Sequence, residues 1–338
     1  MYTIDCVSPK NRVKNKKLLV LITSIVLIVV LFSSLFVIYK LTLTDVDCGV
    51  GGGVWDVSLV GAVFVGSERE LVAAVVDADG CGGSTVVVLD CDVFLSRSFV
   101  VGEGKNITLT SNNSGGGGGF FGLFGADGER VITVEGGGWL CINGAVITHE
   151  KGVKGGGVDV LVGGEFVLVR GKISNNVVAD WHGGGVKNMG VFRMFGGEIS
   201  GNRADGHGSS WYHGLTWWYE YGGGVWNGGV FELFGGLIAN NAGYFGGGVV
   251  NSGDFSMFGG SITKNTADKC GGVVNSGDFS MFGGSITKNT ADKYGGVGST
   301  GGGDIMFEGG KIVNNKSKSG KGNNIHVVDK DGHVVLVR

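Results

Sequence analysis

The chain has 338 residues, of which 70 are glycine, one is proline and 43% are hydrophobic. Because there is no strict Gly-x-y period and almost no proline, this composition excludes collagen and a proline-rich disordered chain, and it is apolar enough to supply a core. After residue 40 the chain has 21 basic and 29 acidic residues, a net charge of −8, which argues against nucleic acid or an anionic lipid surface as a partner.

The N-terminus is predicted to be a membrane anchor. Residues 18–39 form an uncharged apolar run that exceeds the length of about 20 residues needed to span a bilayer as a transmembrane helix. The residues before it include five basic ones: Lys10, Arg12, Lys14, Lys16 and Lys17. The positive-inside rule then makes residues 1–17 a cytoplasmic tail and places the C-terminal part outside a single-pass cell membrane protein. The alternative is a cleaved signal peptide, whose apolar region is usually shorter, about 7–15 residues.

The cysteines offer one candidate disulfide. Cys81 and Cys91 are close in sequence and would pair in an oxidising exterior. No C-x-x-C pair occurs, which argues against structural zinc, and we expect neither a metal nor a cofactor.

Residues 155–321 form a repeat array. The segment 247–269 recurs letter for letter at 271–293 as GGVVNSGDFSMFGGSITKNTADK. Degenerate copies begin at Gly155, Gly183, Gly222 and Gly295. A period of about 24 residues is typical of chains that stack copies, none of which can bury a core alone.

Three apolar columns run through the aligned copies. The first holds Phe166, Phe192, Phe231, Phe255, Phe279 and Ile305. The second, two residues later, holds Leu168, Met194, Leu233, Met257, Met281 and Phe307, and the third holds Ile173, Ile199, Ile238, Ile262, Ile286 and Ile312. A spacing of two is strand periodicity, and glycine pairs in every copy argue against helices. We therefore predict an all-β solenoid with three short strands per turn.

Asparagine follows the isoleucine by three residues in every copy, at Asn176, Asn202, Asn241, Asn265, Asn289 and Asn315. A second polar column contains Asn188, Asn227, Asn251, Asn275 and Ser299. Stacked asparagines hydrogen-bond their amides along a stack, so both columns are predicted to be structural ladders. Asparagine also tolerates the left-handed backbone of a sharp corner.

The copies GGGVWNGGVFELFGGLIANN and GGVVNSGDFSMFGGSITKN resemble the repeats of right-handed parallel β-helix proteins of the pectin-lyase-like superfamily. They are most similar to surface adhesin-like proteins and polymorphic outer-membrane protein repeats. Segments 70–76, 84–90, 104–111 and 138–149 resemble the leading coils of such proteins. The resemblance implies a right-handed parallel β-helix, with N-terminal coils over 44–154 and a C-terminal strand or cap over 322–338. It does not imply a reaction.

The array has one large insertion, at 203–221. It is rich in aromatic residues and contains Trp211, Tyr212, Trp217, Trp218 and Tyr219, together with His207. Aromatic side chains stack on sugar rings or anchor protein interfaces, so this loop is a candidate ligand-binding site. The alternative is a lid folded over the side of the rod.

Gly206-His207-Gly208 matches a G-H-G motif of polygalacturonases in the same superfamily. The paired-aspartate companions of that motif are missing, and Asp205 and Glu220 are the acidic residues nearest to the histidine. Hydrolysis of a glycosidic bond needs two carboxyl groups at one bond. We therefore expect no catalytic residue here.

A further column follows the methionines out of phase with the core. It contains Phe195, Phe234, Phe258 and Phe282. If strand alternation persists, these rings face outward and form a docking surface for another rod, a glycan or the cell wall. The alternative is that the chain turns at the glycine corner and buries them.

These observations predict a membrane-anchored, extracellular, adhesin-like binding protein that is not an enzyme and takes a glycan or a surface protein as its ligand. The first alternative is a polysaccharide hydrolase or lyase on the same fold. The second is a passive structural spacer of the cell envelope, in which the insertion at 203–221 contributes no binding.

Overall fold

The structure is a computed structural model that describes residues 61–78, 84–112, 119–179, 182–206, 222–299, 303–320 and 322–326, together with the backbone of 209–212, 215–218, 327–328 and 334–335. The predicted tail, the transmembrane segment 18–39 and the first part of the 44–154 region lie outside these residues. In the described part of the chain, no helix is long and apolar enough to cross a membrane.

The described chain is an all-β parallel solenoid of about nine turns, which confirms the predicted repeat fold. The handedness of the solenoid stays a prediction. Equivalent residues of successive copies pair in register, as Phe255 with Phe279, Ile262 with Ile286 and Asn251 with Asn275. The duplicated segments therefore stack directly on each other.

Three parallel sheets run along the solenoid. Sheet A has 17 strands: Val63–Val65, Thr85–Leu89, Val93–Phe94, Asn106–Ser111, Gly122–Phe124, Trp139–Thr148, Glu165–Ser174, Val191–Met194, Glu198–Ser200, Val230–Leu233, Leu237–Ala239, Asp254–Met257, Ser261–Thr263, Asp278–Met281, Ser285–Thr287, Ile305–Phe307 and Lys311–Val313. Sheet C has six: Val177–Val178, Arg203–Ala204, Ala242–Gly243, Thr266–Ala267, Thr290–Ala291 and Lys316–Ser317.

Sheet B has ten strands: Phe99–Val101, Ile132–Val134, Val158–Val160, Val186–Asn188, Val225–Asn227, Val249–Asn251, Val273–Asn275, Val297–Ser299, Ile325–Val328 and Val334–Val335. The last of these is antiparallel to its neighbour. A separate antiparallel hairpin joins Ser209–Tyr212 to Leu215–Trp218.

The copies from Gly183 onward have four short strands where three were predicted, and the copy at Gly155 has three because Glu165–Ser174 is continuous. In the copy at 247–269 they are Val249–Asn251, Asp254–Met257, Ser261–Thr263 and Thr266–Ala267. The second and third belong to the same sheet but are separated at Gly260, whose φ of 73° lies in the left-handed region. A residue with a Cβ adopts this conformation at a cost, so the glycine pair divides the strand.

The predicted apolar columns form the core. Phe166, Phe192, Phe231, Phe255 and Phe279 are buried and stack with ring centroids 4.7–4.9 Å apart. The isoleucine column from Ile173 to Ile286 is also fully buried. Both ladders therefore fill the interior that no single copy could enclose.

The corner asparagines form a continuous hydrogen-bonded ladder. Asn241 donates from its backbone N and from Nδ2 to Oδ1 of Asn265, both at 3.0 Å, and the same pattern repeats at each rung. At one end Nδ1 of His149 donates to Oδ1 of Asn176 at 2.8 Å, and at the other end Asn315 donates to Asn324. The ladder is therefore capped at both ends by side chains outside the column.

The left-handed corner position is the residue before the ladder asparagine. Asn175, Asn240, Lys264, Lys288 and Asn314 have φ between 56° and 60°. The ladder asparagine itself has ordinary φ, because its side chain must point inward to reach the next rung. The expectation that it occupies the left-handed corner is therefore wrong by one residue.

We expect Asn240→Val to lower the free energy of unfolding by about 1–2 kcal/mol, because Asn240 is exposed and has φ 56°, where a β-branched residue is strained. Asn240→Gly is the matched control and should be nearly neutral. Urea denaturation followed by circular dichroism measures both. Equal stability of the two variants would contradict the assigned corner.

The segment 70–76, which resembles in sequence a leading coil of β-helix proteins, is part of a helix. This helix spans Glu68–Val76 and buries Leu71, Ala74 and Val75. Ser67 Oγ accepts from the backbone N of Glu70, and the Glu70 carboxylate accepts from Gly66 N at 2.8 Å. This Ser-x-x-Glu capping box starts a helix. Hydrogen bonding from Gly66, followed by the bond from Ser67, lowers the pKa of Glu70.

Candidate functional site

The out-of-phase phenylalanines form an external stack, which we call the phenylalanine stripe. Phe195, Phe234, Phe258 and Phe282 stack with centroids 4.9, 4.9 and 5.1 Å apart. Phe258 is 43% and Phe282 is 39% exposed, whereas Phe255 and Phe279 of the core are buried. The phenylalanines of this column therefore face outward, and the alternative that a turn at the glycine corner buries them is wrong.

The stripe presents ring edges to solvent. Neighbouring rings are within 12° of parallel, so each ring covers a face of the next. A sugar stacks on an aromatic face, and only the ends of such a column offer one. The stripe is therefore an apolar ridge that suits packing against a protein surface better than stacking on a saccharide.

A groove of about 260 Å³ lies on sheet C, beside the insertion. Its lining includes the residue that follows each of the last five short strands of this sheet, namely Asp205, Tyr244, Asp268, Asp292 and Lys318. Because the strands are in register, these side chains form one column along the solenoid, with neighbours about 4.8 Å apart. The groove is therefore a polar surface with one aromatic ring.

The charges of the groove are partly paired. Arg203 Nε is bonded to Asp205 Oδ1, and Lys318 Nζ lies 2.7 Å from Asp292 Oδ1. The hydrogen bond to Asp292 raises the pKa of Lys318. Lys269 Nζ lies 5.4 Å from the Tyr244 ring centroid, a cation–π distance. No ion pair of Asp268 occurs among the described residues.

The insertion begins later than predicted. Arg203–Ala204 belongs to sheet C and pairs with Ala242–Gly243, so residues 203–205 continue the repeat. The excursion then contains the hairpin in which Trp211 pairs with Thr216 and Ser210 with Trp217. His207 and Tyr219 lie outside the described residues, as do the side chains of Trp211, Tyr212, Trp217 and Trp218.

The sequence reasoning missed the groove column, although a signal was present. Asp205, Tyr244, Asp268, Asp292 and Lys318 each stand three residues after a ladder asparagine. From sequence, Asp268 is merely part of a corner. Tyr244 does not stand out either, because its copy has alanine and glycine where the duplicated copies have Thr266 and Ala267.

A second cavity, of about 480 Å³, was also missed. Its half-buried Arg130 donates to the carbonyl oxygens of His182 and Gly183 and lies 4.0 Å from Asp159, which also pairs with Lys187 at 3.2 Å. Burial lowers the pKa of Arg130, and Asp159 opposes this shift. The charged groups at this cavity thus form a network that joins sheet B to the loop at 182–183.

The cysteines differ from the prediction. Cys91 is a free, exposed thiol whose Sγ donates to Gly66 O at 3.3 Å, so the predicted Cys81–Cys91 disulfide is not formed in this structure. Cys81 itself lies outside the described residues. Cys141 is disulfide-bonded. Cys270 is buried, and burial raises the pKa of its thiol to about 12.

At pH 8 we expect iodoacetamide to modify Cys91 and to leave Cys270 unmodified in the native chain. The thiolate is the nucleophile, and a buried thiol with a pKa of about 12 forms almost none at this pH. Peptide mass spectrometry measures the modification, with urea-unfolded chain as the control in which Cys270 reacts. Native labelling of Cys270 would contradict its placement.

In the described part of the chain, no group of three or more His, Cys, Asp or Glu side chains is arranged to hold a metal ion. The fold defines the class of the protein as a parallel β-solenoid built from sequence repeats. No protein-family model, curated protein or solved structure matches it.

Proposed function

We propose that the protein is a membrane-anchored, extracellular, adhesin-like binding protein with a right-handed β-helix of the pectin-lyase-like type. Its ligand is a glycan, and binding is not catalytic. The anchor is the apolar segment 18–39, and the net charge of −8 after residue 40 suits solubility outside the membrane.

The groove on sheet C is the observation that carries this proposal. It combines the Tyr244 ring and the Asp268 carboxylate with Asp205, after which the aromatic excursion follows in the sequence. Carboxylates accept hydrogen bonds from sugar hydroxyls, while aromatic residues cover the apolar face of the ring. Its volume of about 260 Å³ suits one or two sugar units better than a protein surface.

Binding of the full-length chain, in detergent, to immobilised neutral and acidic polysaccharides tests this function. We expect Trp217→Ala with Trp218→Ala to weaken retention at least about tenfold, since interface tryptophans contribute about 2 kcal/mol or more. Phe64→Ala, which removes an exposed aromatic ring outside the insertion, should bind like the natural chain. Unchanged retention after deletion of residues 207–221 would favour a passive spacer, and no retention on any polysaccharide would exclude the glycan ligand.

A polysaccharide hydrolase is the second candidate, and the carboxylates of the groove favour it. Asp205 and Asp268 lie two rungs apart, about 9.6 Å at strand spacing, close to the separation in inverting glycosidases. Against it, Asp205 is already paired with Arg203. New reducing ends that Asp268→Asn and His207→Ala both abolish would replace the binding proposal by this one.

A further inference from the structure

The two identical copies present a self-complementary outer face on sheet A. The strand Asp254–Met257 begins with an exposed aspartate, and the corner after Ser261–Thr263 has an exposed lysine. The next copy repeats this border as Asp278 and Lys288. Between the borders lie the phenylalanine stripe, the column of glycine pairs beside it, and half-buried serine and threonine side chains.

The arrangement is symmetric about the first glycine of each pair. Gly259 stands five residues after Asp254 and five before Lys264, and Gly283 has the same relation to Asp278 and Lys288. We propose that two copies of this chain associate through this face as parallel solenoids, related by a two-fold axis that runs along the solenoid between them.

This axis places the aspartate border of one copy against the lysine border of its partner at the same rung. Turning the partner end over end would place aspartate against aspartate and lysine against lysine. Like charges in contact cost several kcal/mol, whereas complementary ones fix the orientation. The face therefore selects the parallel arrangement.

The same axis packs a ridge into a groove. Phe258 stands one residue before the centre at Gly259, so the partner's stripe lies over the position one residue after it, which is Gly260. Glycine has no side chain, and the column Gly259–Gly260 with Gly283–Gly284 leaves a depression beside the ring edges. Exposed apolar ridges of this kind mark contacts, and here the surface supplies its own complement.

The preceding copies lack this pattern. The positions of Asp254 and Lys264 are occupied by Val191 and Gly201 in one copy and by Val230 and Asn240 in the next. Arg193 instead bonds to Glu165 and Glu232 within the chain. The contact is therefore confined to the duplicated segments, and each of the two copies contributes one aspartate and one lysine to it.

The groove residues lie on sheet C and take no part in this contact. Dimerisation thus goes beyond the proposed glycan binding and does not depend on it. In this arrangement the first described strands of the two copies, Val63–Val65, lie at the same end of the dimer.

Charge reversal in trans tests the proposal on the full-length chain in detergent. One variant has Asp254→Lys with Asp278→Lys, and the other has Lys264→Asp with Lys288→Asp. We expect each alone to lose dimers in light scattering, and a differently tagged mixture to recover the complementary partner about tenfold or more over itself. Lys269→Asp with Lys293→Asp, two lysines outside this face, is the control and should dimerise like the natural chain.

Phe258→Ser with Phe282→Ser should also give monomers with an unchanged circular dichroism spectrum. A monomeric natural chain, or charge-reversed variants that do not prefer each other, would overturn the proposal. Retention on polysaccharide should be unchanged in the two variants reversed at the Asp254 and Lys264 borders and in Phe258→Ser with Phe282→Ser, so failure of the dimer and failure of the glycan proposal are separate results.

Discussion

Phe255→Ala is expected to lower the free energy of unfolding by about 3–5 kcal/mol, as for other large core aromatics. Phe255 is buried in the internal stack, with ring centroids 4.7 and 4.8 Å from its neighbours Phe231 and Phe279. Truncation leaves a cavity that two rigid ladders cannot close, and both stacking contacts are lost.

Phe258→Ala is the matched control, since it removes the same ring three residues later from the outside of the same copy. Because Phe258 is 43% exposed but also stacks on two rings, we expect a loss of about 1–2 kcal/mol, well below that of Phe255→Ala. Urea denaturation should be followed at a dilution at which the chain is monomeric. Equal losses at the two positions would contradict the assignment of inward and outward columns.

Asn265→Ala is expected to destabilise the solenoid by about 3 kcal/mol, because buried hydrogen-bonding groups lose their partner. Oδ1 of Asn265 accepts two bonds from Asn241, and its Nδ2 donates to Ile238 O at 2.9 Å and to Asn289 Oδ1 at 3.0 Å. The substitution leaves the buried backbone N–H of Asn241 without this acceptor.

Thr266→Ala is the control, because it replaces the neighbouring, exposed polar side chain by alanine. It should change the free energy of unfolding by no more than about 0.5 kcal/mol. Hydrogen exchange adds a local measurement. In Asn265→Ala the amide of Asn241 should lose protection ahead of the core strands. Full protection of this amide would contradict the ladder.

The repeat columns could be predicted from sequence because each is a direct copy of one physical requirement. A Phe that recurs at the same position of each duplicated copy is useful only if copies stack, and a glycine pair at a fixed offset marks a forced turn. The alternation of side chains along a strand predicted the outward phenylalanine stripe, provided that the strand continues to Phe258. The sequence left open whether the chain turns before Phe258 or after it.

Two features could not be predicted from the sequence, namely the helix Glu68–Val76 and the groove on sheet C. The helix at Glu68–Val76 has a Ser-x-x-Glu start, but its apolar run also reads as a strand and it is too short for periodicity to decide. The groove joins Asp205 to Asp268 across the insertion, so it becomes visible only when residues 203–205 are aligned as strand and corner instead of loop.

Deletion of residues 271–294 tests the stacked-copy account most directly. Removing this one full period brings Asn265 opposite Asn315 and Phe255 opposite Ile305, so every ladder stays in register. We expect the shortened chain to keep its β-sheet circular dichroism spectrum and a cooperative urea transition, and deletion of 271–282 alone, half a period, to abolish both. Loss of structure after the full-period deletion, or its survival after the half-period deletion, would contradict the account.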